Sequence, residues 1–72
     1  MGKLRRLSGR EVCTILEGHG FREVRTRGSH IVMQKQTDAG SVTVPVPDHG
    51  ELKLGTLMSI IRQSQLTRST FE

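Results

Sequence analysis

At 72 residues the chain has room for one domain with a thin core, because a chain of this size buries only roughly 60% of its unfolded surface. Eleven Lys and Arg against seven Asp and Glu give a net charge of +4, which suits a polyanionic partner, nucleic acid or an acidic protein, without choosing between them. A lone cysteine, Cys13, and a charged start at Met1-Gly2-Lys3-Leu4-Arg5-Arg6 with no apolar run behind it exclude an internal disulfide and a signal peptide, and no stretch nears the ~20 apolar residues of a membrane span, so a cytoplasmic protein without membrane contact is expected.

Ser8 followed by Glu11 has the pattern of a capping box. Val12, Ile15, Leu16 and His19 then recur at helical spacing, and Gly18 or Gly20 offers a stop, which predicts a helix over about 9–18. Three stretches with strand character follow. The first covers about 21–27 and the second about 30–36, joined by a turn at Gly28-Ser29. After a hairpin loop at Asp38-Ala39-Gly40, the third covers about 41–46, where Val42, Val44 and Val46 alternate with Ser41, Thr43 and Pro45. Pro45 lacks an N–H and places this strand at a sheet edge. A loop at Pro47-Asp48-His49-Gly50 leads to a second helix over about 54–63, apolar along Leu54, Leu57, Met58, Ile60 and Ile61. Thr67 opens a final turn that gives Phe71 something to bury.

The fold expected is α+β: helix, three antiparallel strands, helix, with both helices on one face of the sheet and the other face open. The double-stranded-RNA-binding domain shares this order, which is an analogy of fold and not of function. The core is expected to contain Leu16, Val42, Val44, Leu57 and Ile61. Strand two is ambiguous because Ile31, Val32 and Met33 are consecutive. Taking Ile31 and Met33 as inward places His30 and Val32 on the open face.

Gly20-Phe21, Arg27-Gly28-Ser29-His30, Val42-Thr43-Val44-Pro45, Glu51-Leu52-Lys53-Leu54-Gly55-Thr56-Leu57 and Ile60-Ile61-Arg62-Gln63 occur in that order. Together they resemble the HicA mRNA-interferase family, also called YcfA-like, over nearly the whole chain. The stretch Pro45-Val46-Pro47-Asp48-His49 departs from the common pattern by its second proline. The resemblance implies a single-domain toxin of a bacterial or phage toxin–antitoxin pair. It implies an endoribonuclease that cuts mRNA with the histidine of Gly-Ser-His, His30, held inactive by a HicB-type antitoxin.

RNA can be cut without a metal, because its 2′-hydroxyl can attack the adjacent phosphate. Such cleavage needs a base, an acid and positive charge. Histidine, with an ordinary pKa near 6.5, suits proton transfer near neutrality. Gly28, next to Ser29, lets an RNA backbone approach closely. Read from the residues alone, His30 is an ordinary surface or strand-end histidine before it is a catalytic one; the resemblance reverses that order. Arg22, Arg25, Arg27 and Lys35 lie on the strands flanking His30, with Arg25 and Arg27 on one strand face by period-two spacing, and are candidates to grip phosphates, or else a solvated basic face. Lys53, Gly55 and Thr56 open the second helix, where free N–H groups make an anion site; the alternative is that Gly55 allows close packing.

His49 is either a second proton-transfer group or a loop residue. His19 favours the negative end of the first helix dipole, and Cys13 reads as a small core residue. No cluster has metal-ligand spacing, and there is no glycine-rich nucleotide loop, so no metal or cofactor is expected. A non-catalytic RNA-binding module of the same fold is the alternative function. The expected partners are RNA and the antitoxin, and the free chain is expected to be a monomer.

Overall fold

Ser8 starts the first helix as its residues dictate. Its hydroxyl accepts from the Glu11 backbone N–H at 3.0 Å, and the Glu11 carboxylate accepts from the Ser8 N–H at 2.8 Å. These two bonds satisfy reciprocal donors at the helix start. The Ser8 N–H first, and the Ser8 side chain second, hold the Glu11 carboxyl below the usual carboxylate range. The helix, α1, runs Gly9–Glu17 and buries Gly9, Val12, Cys13 and Leu16. The computed structural model describes residues 2–72.

Three strands follow: β1 at Arg22–Arg27, β2 at His30–Thr37 and β3 at Gly40–Pro47. They form one antiparallel sheet in the order β1-β2-β3, with β2 in the centre. Helix α2 spans Leu54–Ser64, and a short 3₁₀ turn spans Arg68–Phe71 with Thr67 as its N-cap. This is the expected α-β-β-β-α arrangement of an α+β domain, with boundaries within a residue or two of those predicted.

The core lies between the helices and one face of the sheet. It joins Val12, Cys13 and Leu16 of α1 to Ile31 and Met33 of β2, Val44 and Val46 of β3, and Leu57 and Ile60 of α2. Leu7, Phe21, Leu52 and Phe71, none of them on a periodic stretch, complete it. Val42 and Ile61, expected inside, are only partly buried. Exposure along β3 falls from the hairpin end to the loop end, and Val42 sits near the hairpin. Ile61 lies on the flank of α2 beside its buried residues Leu57, Ile60 and Ser64.

Both prolines of β3 obey one geometric rule. Pro45 pairs with Val32 and Pro47 with His30, so their nitrogens, two residues apart, face the same side. Neither has an N–H to donate, and the side without ladder bonds is the outer edge. The second proline therefore continues the strand instead of ending it. Past it, the loop is pinned by backbone bonds: Asp48 N–H donates to Ser29 O at 2.7 Å, Gly9 N–H to His49 O at 2.9 Å, and Leu52 N–H to Leu7 O at 2.8 Å.

Candidate nucleic-acid interface

The turn before β2 sets the site. Gly28 has φ 57°, and Ser29 does not share the positive sign, as in a type II′ turn, which takes glycine at its first central position. The tight turn makes Arg27 and His30 cross-strand neighbours. On its other side His30 is paired with Pro47. An exposed side chain thus stands on backbone held from both flanks, at the start of the central strand.

Alternation along the strands sorts the rest. His30, Val32, Gln34 and Gln36 of β2 share the face without helices, beside Ser41, Thr43, Pro45 and Pro47 of β3. From β1, Arg25 opposes Val32 and Arg27 opposes His30. The register then shifts between Glu23 and Arg25, leaving Val24 as an extra residue. This bulge puts Arg22 opposite Gln34 and turns Glu23 to the helix side opposite Met33. Three arginines therefore share the open face, although plain alternation would have separated Arg22 from the other two.

Arg25, Arg27, His30, Val32, Thr43 and Pro45 line a concavity of about 410 Å³. Its floor is apolar. Val32 is on the open face as expected, yet it is only 6% exposed, because the flanking side chains and Pro45 close over it. Gln34 donates to the Thr43 hydroxyl at 3.1 Å and accepts from Gln36 at 3.2 Å, which orders the polar row beyond. The strand residues of this face include no carboxylate. The ion pairs among the described residues use Arg10, with Glu23 at 3.6 Å and Asp48 at 3.4 Å, and Arg68, with Glu72 at 3.1 Å. Arg22, Arg25 and Arg27 take part in none of these pairs.

Lys35 does not join them. It belongs to the Ile31–Met33 side of β2 and sets its ammonium 5.8 Å from the Phe21 ring centroid, a cation–π contact. Its stem passes Gly20, whose φ of +93° no side chain adopts easily. Lys35 lies on a strand that flanks the site, as expected, but its strand parity with Ile31 and Met33 is the signal that separates it from the arginines.

Lys53 is the N-cap of α2 and makes no side-chain cap bond, and the first turn holds no acidic residue. A Cβ at Gly55 would meet nothing within 4 Å, so close packing is not the reason for this glycine. With Thr56 it leaves an open, uncapped helix start of the kind that accepts anions. Neither this start nor His49 lines the concavity. The His49 carbonyl, rather than its ring, has a structural task at Gly9. His19 bonds the Ile15 carbonyl through Nδ1 at 3.0 Å at the end of α1. Cys13 is buried, and that burial pushes its thiol up to about 11. Among the described residues no three His, Cys, Asp or Glu converge as a metal-ligand set, and no helix is long and apolar enough to cross a membrane.

A family model described as the HicA toxin of bacterial toxin-antitoxin matches residues 9–66. No curated protein matches the chain.

Proposed function

The chain belongs to the HicA toxin family, and from that premise we propose that it is an endoribonuclease that cuts mRNA without a metal, with His30 as its catalytic group. One observation carries the reading: an exposed histidine shares a concavity with Arg25 and Arg27 on a face whose own strand residues include no carboxylate. RNA brings its own nucleophile. His30 accepts the proton of a 2′-hydroxyl as that oxygen bonds to phosphorus. The P–O5′ bond breaks, and the leaving oxygen takes a proton from the resulting imidazolium or from water. The products are a 2′,3′-cyclic phosphate and a free 5′-hydroxyl. Arg25 and Arg27 offset the charge on the phosphorane through planar forks of donors. Arg22 extends the phosphate contacts along the same face, and Lys53, Gly55 and Thr56 at the start of α2 offer a further anion contact outside the concavity. Gly28 and Ser29, at the turn, leave room for the strand to approach.

An antitoxin of the HicB type would neutralise this activity by covering Arg25, Arg27 and His30. Pairs at the rim of such a contact weaken with salt, because exposed charges are screened within ~8 Å at physiological ionic strength.

The test is His30→Ala, assayed on RNA with and without a chelator. Removing an exposed imidazole changes stability by less than about 0.5 kcal/mol. RNA affinity persists, since phosphate contacts supply non-specific binding. Cleavage falls by about 10²–10⁴-fold, the usual contribution of one general acid or base. The wild-type rate is the same in chelator. A folded His30→Ala protein that cuts at the wild-type rate overturns the assignment and moves it to His49. No cutting by the wild type leaves an RNA-binding module.

A further inference from the structure

Helix α2 carries a second surface that the open sheet face does not explain. Leu54, Met58 and Ile61 recur at i, i+4 and i+7, one stripe of a helix. The helix turns Leu57, Ile60 and Ser64 to the core, so this stripe lies along its flank. Leu54 is 61% exposed and Met58 47%. The segment before α1 lays Leu4 against the stripe, and a hollow opens on each side of that side chain. One, of about 300 Å³, is bordered by Leu54, Arg5 and Arg6. The other, of about 70 Å³, is bordered by Met58, Ile61 and Arg68. None of these residues lines the concavity at His30.

The rim of this groove is basic. Arg5 and Arg6 are exposed and take part in none of the ion pairs among the described residues. Arg62 is exposed on the next turn of α2 beyond Met58. Of the carboxylates nearby, Glu72 is held by Arg68 at 3.1 Å, Glu11, which feels the charge of Arg5, is held by the Ser8 N–H at 2.8 Å, and Glu51 borders the larger hollow. A second copy of the chain would bring one set of arginines against another, so self-association through this face is opposed by charge. An amphipathic helix with an apolar stripe and acidic flanks satisfies both the hollows and the rim.

We propose that the Leu4–α2 groove docks an acidic amphipathic helix of the partner antitoxin, on a surface separate from the concavity at His30. This rests on the family reading that an antitoxin exists, and not on the chemistry assigned to His30. The antitoxin then holds the toxin at two places, and contact at the groove leaves the concavity at His30 open.

The experiment uses the full chain and the protein encoded beside it, with affinity measured by calorimetry and association rates by surface plasmon resonance. Met58→Glu places a charge in the groove at an exposed position. It is expected to raise the Kd by about tenfold or more, as for an apolar anchor lost from an interface, with RNA cleavage by the free variant unchanged. Arg5→Glu with Arg6→Glu is expected to slow association and flatten its salt dependence. Circular dichroism checks that each variant is folded. A folded Met58→Glu that binds as tightly as the wild type overturns the proposal. So does a free wild-type chain that is dimeric and becomes monomeric on Met58→Glu, since the occupant is then a second copy. If the wild type forms no complex at all, the groove proposal and the antitoxin partner fall together, while RNA cutting by the free chain keeps the nuclease reading standing.

Discussion

Gly9 is the residue whose identity the packing restricts most. It opens α1 and is buried, and a Cβ there would overlap the carbonyl oxygen of Pro47. Its own N–H donates to His49 O, so the helix start and the end of β3 share one close backbone crossing. Ala in place of Gly within a helix ordinarily gains about 0.5–1 kcal/mol. Here both neighbours are backbone and must shift, so the overpacking cost of about 1–3 kcal/mol wins. Gly9→Ala is expected to lower the urea midpoint, and a higher midpoint would refute the crossing. Cys13 gives a residue-scale prediction of another kind. Its thiol is pushed up to about 11 by burial, whereas a thiol in an unfolded chain ionises near pH 8.5. At neutral pH both states keep the proton, and the shift has no effect on stability. Between these values the unfolded chain releases a proton that the folded chain retains, so stability falls as pH rises through that window. Denaturation midpoints at pH 8 and pH 10 check the direction, and native-state alkylation at pH 8 should be far slower than in urea.

Among the elements, β1 shows where reading by period succeeds and where it stops. The order of helices and strands was legible because each has a clear mark: the Ser8–Glu11 box, the Val42-Val44-Val46 alternation, the Leu54–Ile61 stripe. His30 and Val32 on the open face were legible too, from the parity of Ile31 and Met33. Strand parity also pairs Arg25 with Arg27. It misplaces Arg22, because nothing local marks Val24 as a bulge; the shift exists only where β1 meets β2. The loop-borne core residues Leu7 and Leu52 lay outside any periodic stretch for the same reason: tertiary contact, not local pattern, buries them, whereas the burial of Phe71 was legible from the final turn that Thr67 opens. The bulge makes an unusual prediction. With Val24 deleted, Glu23 can still oppose Met33 and Arg25 still opposes Val32, in a plain register that keeps every flanking side chain on its face. Val24 is 37% exposed, so the deletion should cost only about 1 kcal/mol, or roughly 4–8 °C in Tm for a domain of this size. Loss of the folded transition in a thermal melt would show that the bulge itself, and not its register, is needed.

At the scale of the whole molecule, the fold is closed by a residue at its far end. The family match stops at residue 66, yet Phe71 is 0% exposed and heads the fully buried side chains by volume. Its ring enters the same cluster as Leu7, Leu52 and Leu57, and its carbonyl accepts from the Arg5 N–H at 3.2 Å. The two ends of the chain therefore seal the core together. A domain of 72 residues has a stability of about 4–11 kcal/mol at 0.05–0.15 kcal/mol per residue. Truncating a buried Phe to Ala costs about 3–5 kcal/mol, part transfer and part cavity. Phe71→Ala should therefore consume much or all of the margin, leaving a chain partly unfolded at room temperature by circular dichroism. Phe71→Leu, which keeps most of the volume, should lose less than about 1.5 kcal/mol. A partner that binds only the folded chain adds about 2.7 kcal/mol at a hundred times its Kd, so bound antitoxin should restore the transition of Phe71→Ala. A Phe71→Ala chain that melts like the wild type would mean that residues 67–72 merely lie on a core already complete without them.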